Sequence, residues 1–286
     1  MFRIGCAIWA YKDWVGSLYP KGSRPADFLR LYGQRFTTVE GNTTFYSTPD
    51  EETVKRWAAD TPAGFHFCPK LPRDVSHQGL LAPRLPAAIA FLDRMAHLGD
   101  RLGPLFLQLP PSYSPAQQED LRTFLEGWPH NRAELAVEVR HLDWFREANT
   151  IELTYLLADY NTSRVLLDTR PIYDCPNDPQ IESERKKPRV PLHKTLTTNT
   201  ALIRYISHPS LDFNETYFQD WARQITAWLQ ANKRVYLFIH CPVEEHSPRN
   251  ARQFQYWLEQ AGAPVPPLPW DAIAQPPEEP QQLTLF

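Results

Sequence analysis

Eight short apolar runs of strand length recur along the chain, at residues 2–9, 37–41, 64–70, 104–109, 135–140, 164–168, 201–206 and 235–240. Helical patterns separate most of them, and this alternation is the tightest constraint on the fold. Parallel strands need crossover connections, which helices supply, so repeated β-α units demand a parallel sheet covered by helices. In a chain of 286 residues the simplest closure is one domain, an α/β fold of the irregular TIM-type (β/α) barrel class. An open doubly wound sheet is the competitor. Helix starts are marked by Ser114-Pro115 and Ser247-Pro248, a capping hydroxyl before a proline. Tyr217, Trp221, Ile225, Trp228 and Leu229 recur at three- and four-residue spacing and mark one apolar face.

Two segments break the alternation, and both draw on the 28 prolines. Residues 169–200 form a Pro- and charge-rich connection after the sixth strand, long enough to serve as a lid over a barrel assigned to residues 1–262. Residues 263–286 form a Pro-rich tail that ends in Gln282, Leu283, Thr284, Leu285 and Phe286.

Whole-chain charge excludes one class of function. Lys and Arg total 30 against 33 Asp and Glu, a formal charge of -3, so nonspecific coating of DNA is not expected. Cys6, Cys68, Cys175 and Cys241 are too scattered for a zinc site or a disulfide framework. Charged residues interrupt the first apolar stretch far short of a membrane span, and the expected location is the cytoplasm. Neither a nucleotide-binding glycine loop nor a Gly-x-Ser-x-Gly elbow occurs.

Strand parity points to the chemistry. Alternate side chains face opposite sides of a strand, so the fifth run sets Leu135, Val137 and Val139 against Ala136, Glu138 and Arg140. The second run puts Thr38, Glu40 and Asn42 inside, and the third turns His66, Cys68 and Lys70 inward. Extending the rule adds Gln108, Asp168, Arg170, Arg204 and His240. All lie toward the carboxyl ends of their strands, where barrel active sites are built. Three acids (Glu40, Glu138, Asp168) against four cations (Lys70, Arg140, Arg170, Arg204) leave a balance of +1, which suits an anionic substrate.

On this reading Glu40 or Glu138 is the general acid or base, and Asp168 or His240 orients or relays the proton. The cations and the amides Asn42 and Gln108 hold the anion. Tyr11, Trp14, Tyr46 and Trp144 stand beside strand ends, where they either stack on a base or sugar or belong to the core. No cofactor is expected. A divalent metal held by ligands such as Glu138, Asp168, His141, His208 and His240 is the rival chemistry, disfavoured by the four cations beside it.

These motifs resemble the YecE-like family, domain of unknown function 72, from Arg3 to about Gly262. The family's opening stands here as Gly5, Trp9, Tyr11, Trp14 and Gly16. Its second signature appears as Val39, Glu40, Asn42, Phe45 and Tyr46, and its third as Phe67, Lys70 and His77, which adds His77 to the binding set. The runs Leu105 to Pro111 and Glu138 to His141, with Trp144, are similarly close. Ile8 replaces a frequent Gly, and the ends of the seventh and eighth strands depart from the family pattern. The resemblance implies an irregular (β/α) barrel and supplies no reaction.

The terminal residues Gln282, Leu283, Leu285 and Phe286 resemble the short peptide through which bacterial replication and repair proteins bind the DNA sliding clamp. A Pro-rich linker would leave such a peptide free to reach its groove. The leading expectation is therefore a hydrolase or lyase acting on a phosphate-bearing substrate, in nucleic-acid metabolism if the clamp recruits it. The alternatives are a metabolic lyase, isomerase or hydrolase on a small anion, and an anion-binding protein without chemistry.

Overall fold

The computed structural model describes residues 1–181 and 186–272. Eight strands appear where the apolar runs stand: β1 (Phe2–Cys6), β2 (Thr38–Gly41), β3 (His66–Pro69), β4 (Leu105–Gln108), β5 (Leu135–Glu138), β6 (Ser163–Asp168), β7 (Thr200–Ile206) and β8 (Arg234–His240). The longer helices are α1 (Phe28–Gly33), α2 (Glu51–Asp60), α3 (Leu85–Met95), α4 (Gln118–Gly127), α5 (Glu147–Asp159), α6 (Glu215–Gln230) and α7 (Ser247–Gln260). Ser114 caps its turn in a reciprocal box with Gln117. Ser247 is instead the first residue of α7, because the turn Glu244–His246 runs directly into the helix and leaves His246 at the cap position. Of the face predicted for α6, Trp221, Ile225 and Leu229 are buried and Tyr217 and Trp228 are half-buried against the same core, while Phe218 is a buried member outside that prediction.

All strand pairs are parallel. Six strands form one sheet in the order β1-β8-β7-β6-β5-β4, and β2 pairs with β3. The two sheets meet at seams made of isolated contacts. On one side Thr37 donates to the Ile4 carbonyl at 3.2 Å, where Gly5 is required because a Cβ there would lie 1.8 Å from the Thr38 oxygen. On the other, single bridges join Phe67 to Leu102 and Lys70 to Phe106. The architecture is an α/β fold on a curled parallel sheet.

Inside the curve, Cys68, Phe106, Ala136, Val165, Leu202, Tyr236 and Phe238 pack into an apolar layer. Outside it, a larger cluster running from Phe2 to Leu268 joins the strands to the helices. The inner layer is the floor of the site, since the next inward positions on β4, β5, β7 and β8 are Gln108, Glu138, Arg204 and His240.

The 169–200 connection holds one helical turn, Arg170–Tyr173, and then continues without regular structure in its described residues. Ile172 and Val190 pack on Leu167 and Ile206, which seats this segment over the carboxyl ends of β6 and β7. Beyond α7, Leu268 is buried and Trp270 meets the Phe36 ring edge-on at 5.6 Å. The terminal peptide with Gln282, Leu283, Leu285 and Phe286 lies outside the described residues. Among the described residues no helix is long and apolar enough to cross a membrane.

Candidate active site

The ends of β2 to β5, β7 and β8 bring one connected polar network together. Arg204 donates from Nε and Nη2 to the two oxygens of Glu40, at 2.8 and 3.0 Å, and from Nη1 to Glu138 at 2.6 Å. Arg140 donates to the other Glu138 oxygen at 2.6 Å and to Gln108 Oε1 at 2.5 Å. Lys70 Nζ donates to the same Gln108 oxygen at 2.7 Å and to Asn42 Oδ1 at 3.5 Å. His240 Nε2 lies 2.8 Å from Glu40 Oε2.

Local backbone chemistry places Lys70. Pro69 ends β3 and contributes no N–H, while the Lys70 and Leu71 amides bond to Gly41 and Phe106 on opposite sides, at 3.3 and 2.9 Å. The Thr44 hydroxyl sits 2.6 Å from the Lys70 carbonyl and 2.7 Å from that of Gly41. The short helical turn Thr43–Tyr46 that follows Asn42 carries Phe45 and Tyr46 to the rim.

Above this network opens a cavity of about 590 Å³. Among the described residues, six cations line it (Lys70, Arg73, Arg140, Lys186, Lys187 and Arg204) and no carboxylate does. Asn42, Gln108 and His77 add polar groups, and Ile8, Phe45, Tyr46 and Pro188 supply apolar wall. Glu40 and Glu138 are each 1% exposed, so their charges hold the guanidinium groups from behind instead of facing a ligand.

Charge states follow from this layering. Burial works to raise the Glu40 carboxyl, but Arg204 and His240 outweigh it and hold the group well below the usual range. Glu138 is likewise opposed by burial, yet Arg204, Arg140 and Lys70 bring it down to about 2. Burial lowers His240 to about 4 despite the attraction of Glu40. Burial first, then Arg204, lowers Lys70 to about 7, with Glu40 pulling the other way. His77 falls to about 4 through burial and the nearby Lys70 and Arg140.

Several expected members stand elsewhere. Asp168 and Arg170 do not join the site: in the β6–β7 register Leu167 lies opposite Arg204, and Asp168 opposite the outer-facing Tyr205. Asp168 instead accepts from the Trp221 indole at 2.7 Å and from Arg170 at 3.0 and 2.8 Å, while Arg170 also reaches Asp220 at 3.1 Å. Trp14 and Trp144 are fully buried, so neither offers a ring face to a ligand. Their indoles donate to the Glu244 and Tyr113 carbonyls at 3.1 and 2.8 Å. Tyr11 is half-buried against Trp14, outside the cavity wall. The rival metal ligands stay apart: His141 neighbours Asp143 at 3.9 Å, and His208 accepts from the Ser210 amide at 2.9 Å.

Sequence reasoning missed Arg73, Lys186 and Lys187 in the cavity wall. It also missed Glu244, raised by burial to about 7 with Lys187 working against the rise. The charged run ending at Lys187 was the available signal, but an aperiodic segment carries no parity that would aim its side chains.

The model of the family described as protein of unknown function DUF72 matches residues 3–273. UPF0759 protein YecE of Escherichia coli (strain K12) is 34% identical over 289 residues, covering 100% of both chains. Among solved structures, a DUF72 family protein from Enterococcus faecalis V583 superposes with a TM-score of 0.67 at 18% identity, over 91% of this chain and 98% of that one. A second, from Thermotoga maritima MSB8, gives 0.64 at 22% identity over 91% and 99%. At those identities the likeness concerns the fold. A family model spanning nearly the whole sequence, joined to a full-length relative, establishes that this chain belongs to the DUF72 family of proteins of unknown function.

Proposed function

We propose that the chain is an enzyme of hydrolase or lyase type that binds a phosphate-bearing substrate in the cavity above Lys70, Arg140 and Arg204. The observation that carries this reading is a cavity of about 590 Å³ with six cationic wall groups and no acid among the described residues. Guanidinium forks suit phosphate oxygens, and a cluster of cations attracts an anion. On this reading Glu40 and Glu138 position Arg204 and Arg140, and proton transfer falls to Lys70, which titrates near neutrality. We read the eight strands as an irregular (β/α) barrel whose seams flank β2 and β3, the strands that carry Glu40 and Lys70.

Titration calorimetry with inorganic phosphate and with sugar phosphates tests the reading. Binding should weaken with added salt and fall by about tenfold or more in Arg140→Gln, the loss of about 1.4 kcal/mol or more. Heats that are absent for every phosphorylated compound would end it.

The terminal peptide favours a nucleic-acid version of the same chemistry. Gln282, Leu283, Leu285 and Phe286 would dock on the bacterial sliding clamp and raise local concentration at DNA without a basic surface. Capture of purified clamp by the full chain, lost when the chain ends at residue 281, is the expected result. Equal capture by both chains would remove the peptide from the proposal.

A further inference from the structure

We infer that Lys70 forms an imine with the carbonyl carbon of an aldehyde or ketone that also carries phosphate. This rests on the anion-binding reading above and adds the functional group the substrate must present.

Geometry carries the inference. Among the described residues, both carboxylates near Lys70 are already taken, Glu40 by Arg204 and His240, and Glu138 by Arg204 and Arg140. What Lys70 touches instead is two amide oxygens, Gln108 at 2.7 Å and Asn42 at 3.5 Å. These two bonds leave one position at Nζ, which holds a third proton in the ammonium and the lone pair in the neutral amine. The ring centroids of Phe45 and Phe106 lie 4.3 and 5.4 Å from Nζ, and the residue is 5% exposed while still lining the cavity. A lysine desolvated among other cations is an activated nucleophile. Burial and Arg204 bring its titration to about 7, so a substantial neutral fraction exists at physiological pH.

The step balances without any redox partner. The Nζ lone pair forms a C–N bond, the carbonyl π pair moves to oxygen, and that oxygen takes a proton from nitrogen. Loss of hydroxyl with a second proton breaks the C–O bond and releases one water, leaving C=N. Once protonated, the imine draws electrons from the adjoining bond, the chemistry of a lyase. Arg140, Arg73 and Lys187, in the wall around Lys70, would hold the phosphate while the carbonyl meets the amine. A sugar phosphate and an abasic site in DNA both present this combination.

Borohydride trapping of the full chain is the test, with glyceraldehyde 3-phosphate in one arm and a single-stranded oligonucleotide containing an abasic site in the other. Intact mass and peptide mapping should find one reduced adduct on Lys70 in at least one arm, and the productive arm identifies the source. Unphosphorylated glyceraldehyde should trap about tenfold less at equal concentration, a gap of about 1.4 kcal/mol. Lys70→Arg should abolish the adduct. Should that variant not fold, the wild-type map decides together with trapping that rises to half its maximum near pH 7. An adduct spread over several lysines, or none in either arm, overturns the imine. Phosphate heats that persist without trapping would overturn it while leaving the anion-binding reading standing.

Discussion

Arg204 binds two carboxylates from opposite sides of the curled sheet, Glu40 through Nε and Nη2 and Glu138 through Nη1. The partners are 164 and 66 positions away in sequence, and all three side chains are almost fully buried. Removing one partner of a buried pair leaves uncompensated charge, which typically costs about 3–5 kcal/mol. Arg204→Met should lower the unfolding free energy from denaturant titration by that order, because among the described residues Glu40 keeps only His240 and Glu138 only Arg140. A loss below about 1 kcal/mol, the scale of an exposed pair, would contradict the bridge.

The same pairs make the fold acid-sensitive. Glu138 and Glu40 are both lowered in the folded chain, Glu138 from 4.5 to about 2. A carboxyl with a depressed folded value contributes stability that is complete above its unfolded value and is lost as pH falls through the folded one. Stability should therefore decline from pH 4.5 toward pH 2. Glu138→Gln should be less stable than the parent at pH 7 and show a shallower decline across that window. Parallel denaturation curves at pH 7, 4 and 3 measure both effects, and an unchanged slope in the variant would remove Glu138 as the cause.

Most of this site was legible because its strands alternate cleanly. On β5, Leu135 and Val137 point to the helices and Glu138 to the interior, so parity alone located the acid. β6 offered no such signal: Val165, Leu166 and Leu167 are apolar on both faces, and the charged Asp168 at its end was read one position out of phase. Trp14 and Trp144 were ambiguous for a different reason, since a ring beside a strand end can fill a core or line a mouth, and burial is decided by helices distant in sequence. Lys187 was out of reach because its placement depends on Ile172 and Val190 packing down onto Leu167 and Ile206.

Asp168 provides a control for that correction. Its bonds to Arg170 and Trp221 tie β6 to α6 away from the cavity. Asp168→Ala should destabilise by about 1–3 kcal/mol, because it leaves the buried Trp221 indole N–H without its acceptor while Arg170 keeps Asp220. Phosphate affinity measured well below the new melting point should stay within about twofold, under half a kcal/mol. A larger loss of affinity would return Asp168 to the site.

Lys70 should show the same sign of pH dependence as the carboxylates, in a higher window. Its titration falls from 10.5 to about 7 on folding, so between those values the unfolded chain binds more protons than the folded one. Stability from this group then rises with pH across that window, and the cost of burying the ammonium is complete only below it. Lys70→Met should be more stable than the parent at pH 6, with the advantage shrinking as pH rises toward 10. An advantage independent of pH would mean that packing alone separates the two chains.

Arg164 poses a different question, because it is a buried cation with no acid beside it among the described residues. It is 2% exposed, its Nη1 and Nη2 make no hydrogen bond to the described residues, and its guanidinium lies over the Phe145 ring at 5.4 Å. Burial alone lowers its titration to about 10, which still leaves it charged at neutral pH. Arg164 lines a small cavity together with Val139, Val165 and Leu167, so a methionine there would meet apolar wall while removing the desolvated charge. Arg164→Met should therefore match or exceed the parent in stability, by about 1 kcal/mol or more on the scale of an unsatisfied buried polar group. Chemical denaturation of both chains at pH 7 measures the difference, and a variant weaker by that amount would show that the ring of Phe145 repays the burial of the charge.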